Sequence, residues 1–552
     1  MKHLPLRQLA LANKVVVIDE CHAYDAYMRR YLNRALGWLG AMGVPVVLLS
    51  ATLPAQQRHE MIKSYQDGQL RAIEPSAEST LPRRGPKLRT RKAAATAAVV
   101  AEKPVESVGA TDHEVDAYPL ITYTDGANDV RFVAPEPSGR TMGVRVELLG
   151  DGDEALITLM EERLGGGGCA GVICTTVTRA QHTARVLREA FGREDVILAH
   201  ARFADLDRMA NETYLRDLLG PDATRENDRR PERLIVVGTQ VLEQSLDIDF
   251  DLMVADVAPV DLVMQRLGRL HRHVRERPAG LGEASCYLRG IEGWKDDGPV
   301  FADNVDRVYP AATLLETLGV LGLTSEGAAG TVSLPADIAR TVRDAYGDKV
   351  TLPQMWRERY EAERKKRTAE IERKQNRAGA CLLRDVGAMV RDGSTLVNWY
   401  AAKDIATRDQ DYGPRAVRDT GETVEVLALE LREGRVYLLP WIGDEAQGVE
   451  RGAQVDTGWV PDDATAQLAA QSAVRLPQSL CRPEEIEGLI NELEEACGLY
   501  VGSWQESPWL AGCLPLLLER AENGRLRTTL RGRTVTYSRE EGLVVERGEA
   551  MM

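Results

Sequence analysis

Two carboxylates stand at the end of an apolar run: Val15-Val16-Val17-Ile18 leads directly into Asp19-Glu20-Cys21-His22. Adjacent Asp and Glu at such a point could divide the work of phosphoanhydride hydrolysis. One would hold the water shell of a Mg²⁺-nucleotide, and the other would accept a proton from the attacking water. A second group lies far down the chain, Gln265-Arg266-Leu267-Gly268-Arg269-Leu270-His271-Arg272. Arg266, Arg269 and Arg272 are spaced i, i+3 and i+6, which predicts a guanidinium row near one side of a helix. Such a row suits the charge that grows on a transferring phosphoryl group. Gln265 and Gly268 interrupt the pattern, and an interior glycine costs a helix roughly 1 kcal/mol. The segment therefore reads as chemical rather than as a salt-bridged surface helix.

Strands must deliver these groups. The continuous β-branched run before Asp19 predicts a strand covered on both faces in a parallel sheet, with its C-terminal residues at the crevice where such sheets bind ligands. A helix is expected over 25–39, where Tyr27, Tyr31, Leu32, Ala35 and Leu39 keep helical spacing. Val46–Leu49 predicts a second apolar strand. It ends in Ser50-Ala51-Thr52, small hydroxyl residues that can pass hydrogen bonds from a nucleotide site to a neighbouring domain. A second α/β unit follows over 150–300. Its strands end at Thr175-Thr176-Val177-Thr178-Arg179, at His200-Ala201-Arg202-Phe203, at Gly238-Thr239-Gln240 and at Asp256, with Glu243, Ser245, Leu246, Asp247 and Asp249 behind the third. Gly165–Gly168 precedes a strand and carries no Lys, so it reads as a hinge and not as a phosphate loop.

The remaining stretches are less chemical. Residues 74–116 are rich in Pro, Ala, Ser, Glu and Arg and read as a flexible insertion. The basic cluster in it (Arg83, Arg84, Lys87, Arg89, Arg91, Lys92) is either a solvated loop or a DNA-touching arm. Five segments result: 1–73, part of a first lobe; 74–149, insertion and connection; 150–300, a second lobe; 301–395, a helical linker; 396–552, a small α+β accessory domain. Within the last, Leu516–Leu518 is too short a run to assign. A chain of 552 residues with a net charge of -15 excludes a broadly basic surface but not a local nucleic-acid groove. Its 8 cysteines form no CxxC pair, and no membrane-length apolar run or signal segment is present, so a cytoplasmic protein with free thiols is expected. The 8 histidines supply no paired metal motif.

Asp19–Asp25, Ser50–Thr52, His200–Phe203, Gln240–Asp249, Gln265–Arg272 and Ser507–Leu510, in this order, resemble superfamily 2 helicases. More narrowly they resemble the helicase–nuclease of type I CRISPR antiviral systems. The resemblance implies an α/β fold with an incomplete first RecA-like lobe, a complete second RecA-like lobe and a small α+β C-terminal domain. It implies ATP and Mg²⁺ as ligands, with Asp19 on the metal through water and Glu20 acting on the attacking water. His22, Ser50 and Thr52 would couple hydrolysis to DNA. Arg269 and Arg272 would be arginine fingers, supported by Gln265 and Arg266, and Asp247 and Arg266 would lie near the nucleotide. Thr175, Thr176, Thr178, Arg202, Thr239 and Gln240 would contact single-stranded DNA, along which hydrolysis steps the protein. The implied partners are that DNA and a Cascade-type surveillance complex at its R-loop.

No Gly-Lys dipeptide occurs in the sequence, so either a separate polypeptide supplies the phosphate loop and the nuclease or the reading frame is truncated, and little turnover is expected of the chain alone. A catalytically inactive fragment that binds DNA or a complex is the alternative.

Overall fold

The computed structural model describes residues 10–11, 13–73, 117–124, 130–137, 139–243, 246–302, 305–347, 350–380, 382, 423–521 and 524–546. The 74–116 insertion with its basic cluster, and Ser245, lie outside them. The chain forms two compact units, one made of 1–141, 335–349 and 364–419, the other of 142–334, 350–363 and 420–552.

In the first unit, β1 (Val16–Ile18) pairs in parallel with β2 (Val46–Leu48), Val17 opposite Val47. The crossover helix α1 (Ala26–Ala41) starts where Asp25 accepts the Met28 N–H at 2.8 Å. Helix α2 (Ala55–Ile73) lies so close to α1 that a Cβ on Gly68 would stand 1.9 Å from the Gly37 carbonyl oxygen. Glycine is the residue that permits this approach. Cys21, Leu32, Leu36 and Met61 form the core beneath one face of the strand pair. The other face differs from the expectation of cover on both sides: Val15, Val17, Val47 and Leu49 are 62, 59, 43 and 46% exposed. A hairpin of β3 (Ile121–Tyr123) and β4 (Arg131–Val133) completes the described strands of this unit.

The second unit holds the expected doubly covered sheet. Its strands are β5 (Met142–Leu148), β6 (Gly168–Ile173), β7 (Val196–Ala199), β8 (Arg233–Gly238), β9 (Leu252–Asp256), β10 (Ala284–Arg289) and β13 (Ala329–Leu334), after a hairpin of β11 (Ile291–Lys295) and β12 (Gly298–Phe301). They lie in the order β13-β5-β10-β9-β6-β8-β7, all parallel except β13 at one edge. Every residue of β6 is buried, as a two-sided strand requires. Helices α3 (Asp153–Leu164) and α4 (Val177–Phe191) press Leu156, Met160, Ala184 and Leu187 onto Val172, Ile235 and Val254. The glycine run enters β6 as a turn. Gly167 has φ +84°, and a Cβ there would meet the Glu232 carbonyl oxygen at 2.7 Å.

The same unit contains a second sheet, from β14 (Glu425–Arg432), β15 (Arg435–Tyr437), β16 (Ala473–Arg475), β17 (Leu514–Arg520), β18 (Leu526–Leu530), β19 (Arg533–Ser538) and β20 (Gly542–Val545). Leu516–Leu518, unassigned from sequence, is the middle of β17, which runs parallel to β14. Among the described residues no helix is long and apolar enough to cross a membrane.

Candidate functional site

The end of β1 places Asp19 and Glu20 as a left-handed turn. Glu20 takes φ 51° and ψ 39°, rare for a residue with a side chain, and its N–H is bound by the Asp19 carboxylate at 2.8 Å. The turn brings the Glu20 carboxylate to 3.3 Å from His22 Nε2. His22 Nδ1 lies 3.0 Å from Ser50 Oγ at the end of β2. Parallel pairing in register sets this geometry, since Leu49 N–H binds the Ile18 carbonyl and Cys21 N–H binds the Leu49 carbonyl. Carboxylate, imidazole and hydroxyl thus form a chain across two strand ends. The His22 ring is buried, whereas Glu20 is half exposed, so the carboxylate can meet a ligand while its orienting partner cannot leave. Thr52, two residues on, is buried. Asp19 is exposed, an oxygen donor of the kind that holds Mg²⁺ through water.

In the second unit the arginine segment departs from a single helical row. Helix α5 (Asp205–Leu219) precedes β8, and helix α6 (Val260–Leu267) follows β9. Helix α6 stops at Gly268, and the chain then runs beside Phe250, whose N–H binds the Arg269 carbonyl at 2.9 Å. A Cβ on Gly268 would sit 3.2 Å from the Gln265 carbonyl oxygen, so the glycine serves the helix end. Gln265 is half-buried on the last helical turn.

Arg266 points inward. It is 0% exposed, with Nε 2.7 Å from Glu243 Oε1 and Nη1 2.6 Å from the Asp256 carbonyl oxygen. An unpaired buried guanidinium would be prohibitive, so burial and the Glu243 partner come together. This corrects the expected row: Arg266 braces the segment and is not presented toward a nucleotide. Arg269 donates to the Leu246 and Glu243 carbonyls, both at 2.6 Å. Arg272 Nε reaches Asp247 at 2.5 Å, with both side chains substantially exposed. Burial pushes the Asp247 carboxyl up, but its hydrogen bond and charge pairing with Arg272 outweigh this, and its pKa lies below the ordinary value. The backbone there is anchored by buried Asp249, which binds Arg272 N–H at 2.7 Å and is paired with Arg275 and Arg277.

The strand-end loops lie at the C-terminal ends of β6 and β8. Thr176 caps α4, its hydroxyl accepting the Arg179 N–H at 3.2 Å, and Thr178 is exposed. Thr175 and Thr239 are buried, which makes them framework and not surface contacts in this conformation. Gln240 donates to the Thr175 carbonyl at 3.3 Å and to the Tyr309 hydroxyl at 3.0 Å. The segment after β7 is occupied from the other sheet. His200 Nδ1 accepts the Arg202 N–H at 3.1 Å, His200 Nε2 faces the Glu541 carbonyl at 3.1 Å, and the Arg202 carbonyl accepts the Leu543 N–H at 2.8 Å. Arg202 therefore spends its main chain on His200 and β20 and has only its half-buried side chain for any ligand. Sequence reasoning missed Asp256, Gln181 and Asp207. Asp256 carried a signal, being an acid at the end of an apolar run as Asp19 is.

This arrangement has counterparts. Residues 166–275 match a family model described as CRISPR-associated nuclease/helicase Cas3, C-terminal, and residues 418–543 match one described as Cas3 C-terminal domain. The chain carries two C-terminal domains of the Cas3 family. It is 34% identical over 555 residues to the CRISPR-associated nuclease/helicase Cas3 of Streptococcus thermophilus, covering 99% of this chain and 52% of that protein. It is 31% identical over 350 residues to the Thermus thermophilus endonuclease/helicase Cas3, covering 63% of this chain and 36% of that protein. Among solved structures, a CRISPR-associated protein superposes with TM-score 0.73 at 30% identity, over 98% of this chain and 52% of that one. The structure of T. fusca Cas3 with AMPPNP superposes with TM-score 0.72 at 25% identity, over 98% of this chain and 55% of that one. The chain thus spans about half the length of the relatives it matches. The parallel sheet of the second unit is RecA-like, as in these neighbours.

Proposed function

We propose that the chain supplies the hydrolytic and strand-gripping parts of an ATP-driven DNA helicase of type I CRISPR defence. The observation that carries this reading is the Glu20–His22–Ser50 chain, which joins a proton-accepting carboxylate on one strand to a hydroxyl on the next. Glu20 takes the proton of the attacking water, and His22 holds its carboxylate in place. Ser50, on the far side of the ring, links the state of that carboxylate to the rest of the unit. Asp19 holds Mg²⁺ through water, and the ion when bound neutralises phosphate charge. Arg269 and Arg272 act on the transferring phosphoryl group, with Asp247 holding Arg272 between turnovers. Thr178 and the start of α4 grip the backbone of single-stranded DNA, as an exposed helix N-terminus favours.

The nucleotide site also requires a phosphate loop, and this sequence contains no Gly-Lys dipeptide to form one. The partner at work is a Cascade-type surveillance complex, in keeping with the similarity at TM-score 0.67 and 25% identity to a structure titled CRISPR RNA-guided surveillance complex, pre-nicking. ATP turnover by the chain mixed with a phosphate-loop polypeptide, measured with and without oligothymidylate, tests the reading. Turnover that DNA accelerates is expected; turnover indifferent to DNA, or none in the mixture, contradicts it.

A further inference from the structure

A closed ring of hydrogen bonds joins the arginine segment to the Thr175–Thr178 turn. Arg266 Nη1 donates to the Asp256 carbonyl oxygen at 2.6 Å, and Asp256 Oδ2 accepts the Thr175 N–H at 2.7 Å. On the other side, Arg266 Nε donates to Glu243 at 2.7 Å, the Glu243 N–H binds the Gln240 carbonyl at 3.1 Å, and the Gln240 amide returns to the Thr175 carbonyl at 3.3 Å. The Thr175 residue is thus held by its N–H and its C=O from two directions, and both paths meet on one guanidinium. Arg266, Asp256, Glu243 and Thr175 are 0, 0, 2 and 4% exposed, so water cannot substitute for a broken link. Arg269 is hooked to the same ring through the Glu243 carbonyl. Arg179, in the first turn of α4, shares its Nε–H between both Asp256 carboxylate oxygens at 2.9 Å and reaches Asp151 with its Nη1.

We propose that Asp256 is a positioning residue that transmits movement of the Arg266–Arg272 segment to the strand-gripping turn at Thr175–Thr178. The proposal rests on reading that turn as a DNA contact. It differs from a merely structural acid in a way the molecule itself displays. Asp251, just before the same strand, accepts the Cys169 N–H of β6 at 2.7 Å, pairs with Arg230 and Arg277, and is 1% exposed. The two aspartates therefore do the same stabilising work at opposite ends of the β6–β9 pair. Of the two, Asp256 is the one whose amide partner begins the turn and whose carbonyl meets Arg266.

The test compares Asp256→Asn and Asp251→Asn in the full chain, reading thermal unfolding, affinity for fluorescent oligothymidylate, and hydrogen exchange at the amides of 175–178. Both variants lose a buried charge pair and are expected to melt earlier. Asp256→Asn is expected to weaken oligothymidylate binding by about tenfold and to speed exchange in 175–178. Asp251→Asn is expected to leave both near the wild-type values. Equal effects on binding from the two variants, or wild-type binding by Asp256→Asn, overturn the proposal.

Should Asp256→Asn fail to fold, Tyr309→Phe decides instead. It removes the hydroxyl that holds Gln240 while leaving every charge in place, and is expected to weaken binding by about threefold; unchanged affinity overturns the proposal. If the wild-type chain does not bind oligothymidylate, the DNA reading itself has failed, and exchange at 175–178 in Tyr309→Phe still judges the ring. Faster exchange there supports it and unchanged exchange refutes it.

Discussion

His200 shows how far a residue's neighbours decide what its type can do. Its ring is 1% exposed and stacks on Phe203 with centroids 4.5 Å apart. Burial, reinforced by the Arg202 charge, pushes its pKa down from 6.5 to about 3. Protonation would also set a ring N–H against the Arg202 N–H that Nδ1 now accepts. The folded protein therefore keeps this ring neutral where the unfolded chain protonates it, so stability is full above about pH 6.5 and declines as pH falls toward about 3. Between about pH 7.5 and about pH 5.5 the wild type should lose about 1 kcal/mol more than a His200→Gln variant, whose urea-unfolding free energy lacks this proton uptake. Parallel slopes for the two would show that His200 is not held neutral.

The same lesson separates what the sequence allowed at this scale from what it hid. Asp19, Glu20, His22 and Ser50 were legible because a strand end fixes where its next residues go. Arg266, Arg269 and Arg272 look alike by type and spacing. Only the position of Glu243, 23 residues away in sequence, shows that the first faces inward.

At the scale of elements, strands read well where both faces are buried, as in β6, β8 and β9, because burial leaves little choice but an unbroken apolar run. Helix α6 read too long because its end is set by the pairing of Phe250 with the chain beside it, a contact that no local pattern announces. Strand β17 stayed hidden for a similar reason: its parallel neighbour β14 is 88 residues upstream in register, beyond any hairpin signal (Leu516 opposite Ala428).

The seam between the two sheets of the second unit is the element-level surprise. Tyr537 donates to Asp207 at 2.6 Å and accepts the Ala204 N–H at 2.8 Å, Trp441 donates to Asp207 at 2.8 Å, and Gln181 donates to the Glu541 and Leu543 carbonyls. Gly542 lies under this seam at φ +64°, where a Cβ would stand 2.6 Å from the Arg202 carbonyl oxygen. Gly542→Ala should therefore cost about 1–3 kcal/mol in urea unfolding, through both strain and displacement. An unchanged midpoint would mean that β20 can shift without loss.

At the scale of the whole molecule, the two units stand at different distances from what their sequences promised. The second meets the expectation of a sheet covered on both faces. The first has a strand pair of equally apolar composition with Val15, Val17, Val47 and Leu49 left open on one side. That contrast was partly legible, since an all-apolar strand asks for cover that two strands and two helices cannot give on both faces. With a net charge of -15, the motor proposed above requires a grip on DNA that is local, at strand ends, and not spread over its surface. In the proposed ATP-driven cycle Glu20, oriented by His22, is the base. The most direct test is DNA-stimulated ATP turnover by Glu20→Gln in the mixture with a phosphate-loop polypeptide. Removing a general base typically costs about 10²–10⁴-fold in rate, so turnover should fall by about that much while oligothymidylate affinity and the melting temperature stay close to wild type. Turnover by Glu20→Gln within about twofold of wild type would contradict a catalytic role for this carboxylate, because a lost base cannot leave the rate intact.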